Sequence, residues 1–142
     1  MSIINLLTPN NYNIYAKSFN GTNNTFIQSS WDTILNGPFL PQNITLNFLK
    51  IGSFVVISFP ELMINGNNTE SLIYTSLALP YLPTNESFNN VNCINNNLIV
   101  SGTCSIDTNG IINIGIGVSQ NNYSANTNIN GVQSFCLIYY SN

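Results

Sequence analysis

Apolar and polar side chains alternate along residues 98–106, and this period of two constrains the fold more than any other feature of the 142-residue chain. Successive side chains of a strand point to opposite faces, so the pattern predicts a strand with one face on a core and the other in water. The core parity holds four apolar residues with a glycine between them: Leu98, Val100, Gly102, Cys104 and Ile106.

Asp107-Thr108-Asn109-Gly110 predicts a tight hairpin turn after this strand, because Asn-Gly readily supplies positive φ angles. The return strand is predicted at residues 111–117, with Ile112, Ile114 and Ile116 on its core face. This hairpin is the clearest local prediction in the sequence.

Further short strands are predicted between glycine, proline and asparagine residues, whereas no stretch keeps helical spacing of apolar residues for three turns. These strands lie at residues 33–36, 44–50, 54–59, 71–77 and 134–140. Many short strands with such punctuation indicate an all-β fold, a β-sandwich or jelly roll. Residues 54–59 are apolar on both parities, which predicts one face on the core and the other against a second subunit.

Two regions are expected in the chain. Residues 31–142 form the predicted β-sandwich domain, whereas residues 1–30 alternate more weakly and are interpreted as an entry strand, a short stalk or a virion-anchoring segment. A partly ordered arm that packs against neighbouring subunits is favoured over a separate domain. About one residue in five is asparagine, which is also typical of prion-like disordered tracts. Strand alternation, proline punctuation and a hydrophobic fraction of 44% argue against that alternative.

Charged residues make up only 5% of the chain, with Lys17 and Lys50 as its cations, no arginine and a net charge of −3. This balance argues against nucleic-acid binding, which depends on Lys and Arg displacing counterions from phosphates.

The longest nearly apolar run, residues 51–59, is far shorter than the roughly 20 residues that span a bilayer. Met1-Ser2-Ile3-Ile4 lacks the basic start of a signal peptide, so we expect synthesis in a host cytoplasm.

Catalytic chemistry finds little support in the sequence, which lacks histidine as well as arginine. A glycosidase needs two carboxylates about 5–10 Å apart. Most of the five carboxylates fall in predicted turns or strand ends and are interpreted as solvated loop acids: Asp32, Glu61, Glu70, Glu86 and Asp107. Asp107 with Asn109 offers too few oxygen ligands for calcium. We expect no catalytic residue, no cofactor and no metal ligands within one chain, and an ion on an axis between subunits stays an open alternative.

Three cysteines, Cys93, Cys104 and Cys136, show no zinc-ligand spacing and cannot all pair within one chain, so reduced, buried thiols are expected. The Asn-x-Ser/Thr sequons are about as frequent as this composition gives by chance, and they do not argue for secretion. They begin at Asn20, Asn23, Asn43, Asn67, Asn85 and Asn122.

Binding is the remaining class of function. Five aromatic residues can stack on sugar faces, although a core or interface role is favoured for each: Trp31, Tyr81, Tyr123, Tyr139 and Tyr140. The asparagine-rich segments 65–68, 89–97 and 120–130 are the preferred contact loops, because loops carry recognition on rigid β scaffolds. No individual receptor-binding residue is assigned.

Several motifs follow one another in a recognisable order: Trp31-Asp32-Thr33-Ile34-Leu35 before Gly37-Pro38-Phe39, Leu49-Lys50-Ile51-Gly52 before the strand at 54–59, Leu79-Pro80 with Leu82-Pro83, the turn at 107–110, and Tyr139-Tyr140. From Trp31 onward, this order resembles the carboxy-terminal head domains of phage and giant-virus fibre-like proteins, including those of virophages. The resemblance covers about 110 of the 142 residues.

The resemblance implies a jelly roll of the tumour-necrosis-factor or complement-head kind, assembled as a threefold homotrimer on a virion surface. It also implies that the Lys-Ile-Gly segment introduces a central strand and that the last strand lies near the subunit interface. Attachment to a host or to another virus, through glycan or protein contacts at exposed loops, is the expected function, and three sites would give avidity. A capsid decoration protein without a host ligand and a glycan-processing enzyme are the alternatives.

Overall fold

The computed structural model describes residues 26–67, 72–118, 123–124 and 128–142. Within them the chain forms ten strands and no helix: β1 Phe26–Asn36, β2 Gln42–Ile51, β3 Phe54–Phe59, β4 Leu62–Asn65, β5 Leu72–Thr75, β6 Ser87–Asn95, β7 Leu98–Ile106, β8 Ile112–Ile116, β9 Ile129–Val132 and β10 Phe135–Tyr140. The all-β prediction is therefore confirmed. In the described part of the chain, no helix is long and apolar enough to cross a membrane.

The strands form one antiparallel sheet in the order β10-β3-β2-β1-β5-β8-β7-β6-β9-β4. We call β10-β3-β2-β1 the front half and the other six strands the back half. β1 pairs with β2 over ten residues but with β5 only through Leu35 and Asn36, which face Thr75 and Tyr74. Since buried side chains of both halves belong to one core cluster, the sheet curls over on itself at β1.

Alternation along the strands decides what is buried. Ile44, Leu46 and Phe48 of β2 and Val55 and Ile57 of β3 point into the core, and their sequence neighbours point outward. β3 therefore has the two apolar parities that the sequence predicted, with Phe54 and Val56 half-buried on its outer side. Burial of the inner parity is the main stabilising contribution, at about 25 cal/mol per Å² of apolar surface.

The predicted hairpin at residues 98–117 is confirmed as β7 and β8, with Ile112 and Ile114 fully buried and Ile116 half-buried. The prediction is wrong at Leu98, which was expected on the core face and is 64% exposed. Its turn differs in one respect, because Gly110 has a φ of 77° whereas Asn109 has no positive φ. The Gly110 amide donates to the Asp107 carbonyl at 3.0 Å, and Asp107 Oδ1 accepts from the amides of Asn109 and Ile111, both at 2.9 Å. The Asp107 carboxylate therefore stabilises the turn, and Asn109 does not need the positive φ expected of it.

The interpretation of residues 89–97 as a loop is wrong for most of the segment. Residues 89–95 belong to β6, which pairs with β7 along its whole length. Asn96 and Asn97 form the two-residue turn between these strands, with φ angles of 54° and 65°. Two consecutive positive φ angles are typical of a type I′ hairpin turn, and asparagine tolerates them better than most residues.

The sequence also gave no indication of β4 and β9, two four-residue strands that pair with each other. Gly131 of β9 is required at this pairing, since a Cβ atom there would lie 2.0 Å from the Leu62 carbonyl oxygen.

At the amino-terminal side of the described residues, β1 begins at Phe26, so residues 26–30 are part of the sheet. The rest of the predicted arm, residues 1–25, lies outside the described residues.

Candidate functional site

The outer face of the front half is apolar at one end. In the antiparallel register, Tyr140, Phe54 and Ile51 form one row across β10, β3 and β2, and Ile138, Val56 and Leu49 form the next. Side chains that face each other across antiparallel strands lie on the same side of the sheet and pack together. We call these six residues the apolar end.

The apolar end remains accessible to solvent in the single chain. Tyr140 is 62% exposed, Ile138 43% and Ile51 41%, and the other three residues are half-buried. The rings of Phe54 and Tyr140 meet edge to face with centroids 5.7 Å apart. No charged side chain interrupts the two rows. A contiguous apolar surface of this kind is typical of a protein interaction site.

The opposite end of the same face is polar and concave. A cleft of about 440 Å³ opens where β1 and β2 approach the segment after β5, and its lining combines one carboxylate with an amide, hydroxyls and aliphatic side chains: Asp32, Thr33, Ile34, Asn43, Ile44, Thr45 and Leu77. We call it the Asp32 cleft. Its volume lies within the roughly 300–1,000 Å³ of small-molecule sites.

Strand register builds this cleft. Asp32 faces Thr45 and Ile34 faces Asn43 across β1 and β2, so all four side chains lie on the outer side. Thr45 Oγ1 donates a 2.6 Å hydrogen bond to Asp32 Oδ1, which orients the carboxylate. Thr33 Oγ1 accepts from the Leu77 amide at 3.4 Å and holds the far wall against β1.

Lys50 cannot balance the charge of Asp32. It lies on the inner face of β2, is 8% exposed, and donates from Nζ to the Gly52 carbonyl. Its Nζ is 5.3 Å from the centroid of the Tyr81 ring, close enough for a cation–π interaction. Lys17 lies outside the described residues, so within them the one lysine is turned away from the outer face.

The aromatic candidates are mostly core residues, as favoured from the sequence. Tyr123 and Tyr139 are 2% and 3% exposed, and desolvation raises the pKa of each hydroxyl. Trp31 and Tyr81 are half-buried and pack on the core cluster. Tyr140, at the apolar end, is the one of the five that is largely exposed.

The asparagine-rich segments hold each other in place. Asn130 is fully buried, and its side chain accepts from the Asn96 amide and donates to the Ser124 carbonyl. Asn97 Oδ1 accepts from the Ile129 amide, and Asn95 Oδ1 from the Ser124 amide. These side chains therefore tie the β6–β7 turn to the segment before β9. In segment 65–68, the Gly66 and Asn67 amides donate to the carbonyls of Asn128 and Pro38, and residues 68, 120–122 and 125–127 lie outside the described residues.

One cysteine, Cys136, and one carboxylate, Asp32, differ from the predictions of buried thiols and loop acids. Cys93 and Cys104 are buried as predicted, and desolvation raises the pKa of both thiols, that of Cys104 to about 12. Cys136 is exposed, because it lies on the outer parity of β10. Glu61 and Glu86 are exposed in connections and Asp107 closes its turn, as expected of loop acids.

Asp32 is the carboxylate for which the loop interpretation is wrong, since it lies within β1. Glu70 is outside the described residues. Among the residues that line the Asp32 cleft, Asp32 is the one carboxylate.

No protein-family model and no curated protein matches the sequence. Among solved structures, the fold is similar to a reovirus attachment protein, sigma1, determined in complex with alpha-2,3-sialyllactose. The superposition has a TM-score of 0.46 at 16% sequence identity and covers 82% of this chain and 67% of that chain.

Proposed function

We propose that this chain is the head of a viral fibre or surface protein and attaches a virion to a host cell or to another virus. In this proposal three copies associate around a threefold axis, each a jelly roll of the tumour-necrosis-factor or complement-head kind. The sequence resemblance to phage, giant-virus and virophage fibre heads supports this fold and role. The apolar end is the single structural observation that carries the assembly.

The apolar end supports association with further copies of this chain. Its six side chains lie on three adjacent strands, whose backbone hydrogen bonds hold the surface in one shape before association. Burial of such a surface is favourable, and no side chain in it has a charge to desolvate. The last strand, β10, contributes Ile138 and Tyr140. This position agrees with the resemblance, in which the last strand lies near the subunit interface.

Binding without catalysis is the chemistry that we propose for the polar end. The Asp32 cleft offers one carboxylate, and glycoside hydrolysis needs two that act together. The buried thiols of Cys93 and Cys104 are held protonated and are therefore poor nucleophiles. Three copies of a weak binding site on one assembly gain avidity on a densely displayed ligand.

Oligomeric state tests the assembly. At micromolar concentration, light scattering should give about 47 kDa, three times the 15.6 kDa of one chain. Ile138→Lys places a charge in the apolar end and should give a folded monomer. Ile99→Lys is the matched control, because Ile99 is 62% exposed on β7 in the back half, and this variant should remain a trimer. A monomeric parent protein would overturn the proposed assembly.

Binding of the intact protein to host cells or to purified virions tests attachment. The fluorescently labelled parent protein should bind to one of these surfaces, and the Ile138→Lys variant should bind more weakly because avidity is lost. A trimer that binds to neither surface would instead be the capsid decoration protein of the second interpretation.

A further inference from the structure

The chemistry of the Asp32 cleft points to a class of ligand. An ionised carboxylate accepts hydrogen bonds only, and bonds from hydroxyl groups to it are short and strong. The Asn43 amide both donates and accepts, and it lies diagonally across the strand pair from Asp32. A carboxylate with an adjacent amide is suited to two neighbouring hydroxyl groups of a pyranose ring.

The walls of the cleft suit the remainder of such a ring. Ile34 and Leu77, 40% and 53% exposed, present aliphatic groups beside the polar ones. A pyranose ring carries its C–H groups between its hydroxyls, and binding sites for small molecules combine a largely apolar wall with a few placed polar groups. The Asp32–Thr45 hydrogen bond fixes the carboxylate before binding and lowers the entropy cost of ordering it.

The charge of the cleft selects among glycans. Sialic acids and sulfated sugars carry an anionic group, for which proteins commonly provide Arg or Lys. This chain has no arginine, and Lys50 is turned inward to the Gly52 carbonyl and the Tyr81 ring. An anionic sugar in the cleft would instead face the carboxylate of Asp32, and the net charge of −3 adds to the repulsion.

We infer that the Asp32 cleft binds a neutral hexose through two adjacent hydroxyl groups, with the Asp32 carboxylate as their acceptor. This inference rests on the proposed attachment function and names its ligand class. It also assigns the polar end of the outer face, rather than the asparagine-rich segments, as the contact site.

Immobilised sugars test the inference directly. The probes are D-galactose, D-glucose and D-mannose on a polymer, together with lactose and alpha-2,3-sialyllactose, which differ by one sialic acid. The protein is produced in bacteria, because Asn43-Ile44-Thr45 is a sequon and a glycan attached there would fill the cleft. The parent protein should bind at least one neutral hexose, and it should bind lactose no more weakly than sialyllactose.

Two substitutions with a matched control locate the site. Asp32→Asn keeps the shape of the side chain and should lower neutral-sugar binding at least about tenfold, since a charge-assisted acceptor is lost. Glu86→Gln removes the same charge from an exposed connection outside the cleft and should leave binding unchanged. Asn43→Ala, at an exposed position, provides a second loss variant should Asp32→Asn fold poorly.

Each contrary result has its own meaning. Stronger binding of sialyllactose than of lactose overturns the ligand class. Cell or virion binding that survives in Asp32→Asn and Asn43→Ala overturns the cleft as the contact site and leaves the attachment function standing. A parent trimer that binds no sugar, cell or virion overturns the attachment function itself.

Discussion

The two ends of the outer face differ although the same strands build both. β2 carries Thr45 at the polar end and Ile51 at the apolar end, six residues or about 20 Å apart. Beneath both ends the inner parity includes buried aliphatic side chains, with Leu46 under one and Val55 and Ile57 under the other. The comparison shows that the outer residues, arranged in rows by strand register, divide this face into an apolar end and a polar end, which we propose for association and for recognition.

Because the apolar end and the Asp32 cleft lie apart along the strands, a substitution at one end should leave the other end unchanged. We expect association through the apolar end to leave the Asp32 cleft open, because Cys136, Ser58 and Asn47 form a row between them. The four predictions below test how far this independence extends, beginning with the substitutions of largest expected effect.

Truncation of an inner side chain should be equally costly under either end. Ile57→Ala and Leu46→Ala each remove a fully buried side chain and should lower the free energy of unfolding by about 2–5 kcal/mol. The outer neighbours Val56→Ala and Thr45→Ala should each cost at most about 1 kcal/mol. Urea unfolding in the monomeric Ile138→Lys background measures all four without a contribution from association. If Leu46→Ala lowered the free energy of unfolding much less than Ile57→Ala, the core beneath the polar end would contribute less to stability than the core beneath the apolar end.

The Cys136 thiol should report on coverage of the apolar end. It lies one row from Ile138, and in the trimer its reaction with Ellman's reagent should be at least about tenfold slower than in a monomeric Ile138→Ser variant, which places no cation beside the thiol. One thiol per chain should react, because Cys93 and Cys104 are buried and the thiol of Cys104, with a pKa of about 12, stays protonated as the pH is raised from 7 to 9. Equal rates in the two proteins would indicate an uncovered apolar end.

Loss of the Thr45 hydrogen bond should affect the polar end alone. Thr45→Val removes the donor to Asp32 Oδ1 at nearly constant shape and should weaken neutral-sugar binding about three- to tenfold. Thr45→Ser keeps the hydroxyl and should retain most of the binding. Light scattering should give the same trimer mass for both variants, and dissociation of either one would contradict the independence of the two ends.

Salt should have the smallest effect. Between 50 and 500 mM NaCl, neutral-sugar binding should change less than about twofold, because no ion pair forms between a neutral ligand and the cleft. The trimer mass should also stay constant, since burial of apolar surface does not depend on attraction between charges. A steep salt dependence of sugar binding would identify a charged ligand.

Local patterns in the sequence were sufficient to predict paired strands where one segment contained both the apolar–polar alternation and the turn. The β7–β8 hairpin could be predicted because Val100, Cys104 and Ile106 share a parity and Gly110 ends the turn. β6 was missed because asparagine is uncommon in strands. Its signal lay in the alternation of Asn90, Val91, Asn92 and Cys93.

The Asp32 cleft could not be found from local patterns, because it depends on which residues face each other across β1 and β2. Asp32 and Thr45 are thirteen residues apart and meet only through the register of the two strands. The alternation along β1 and along β2 indicates that Asp32 and Thr45 both point outward. Only the structure shows that these two residues are paired.

The path of the chain gives the head a direction. Residue 26 faces Ile51 at the apolar end, so β1 begins there, and Tyr140, the last residue of β10, lies in the same row. Ile34 lies eight residues further along β1, at a distance of about 25 Å. In the proposed attachment head, a tether through the residues before β1 would place the apolar end on the side of the particle and the Asp32 cleft at the distal end, which a host surface would contact first.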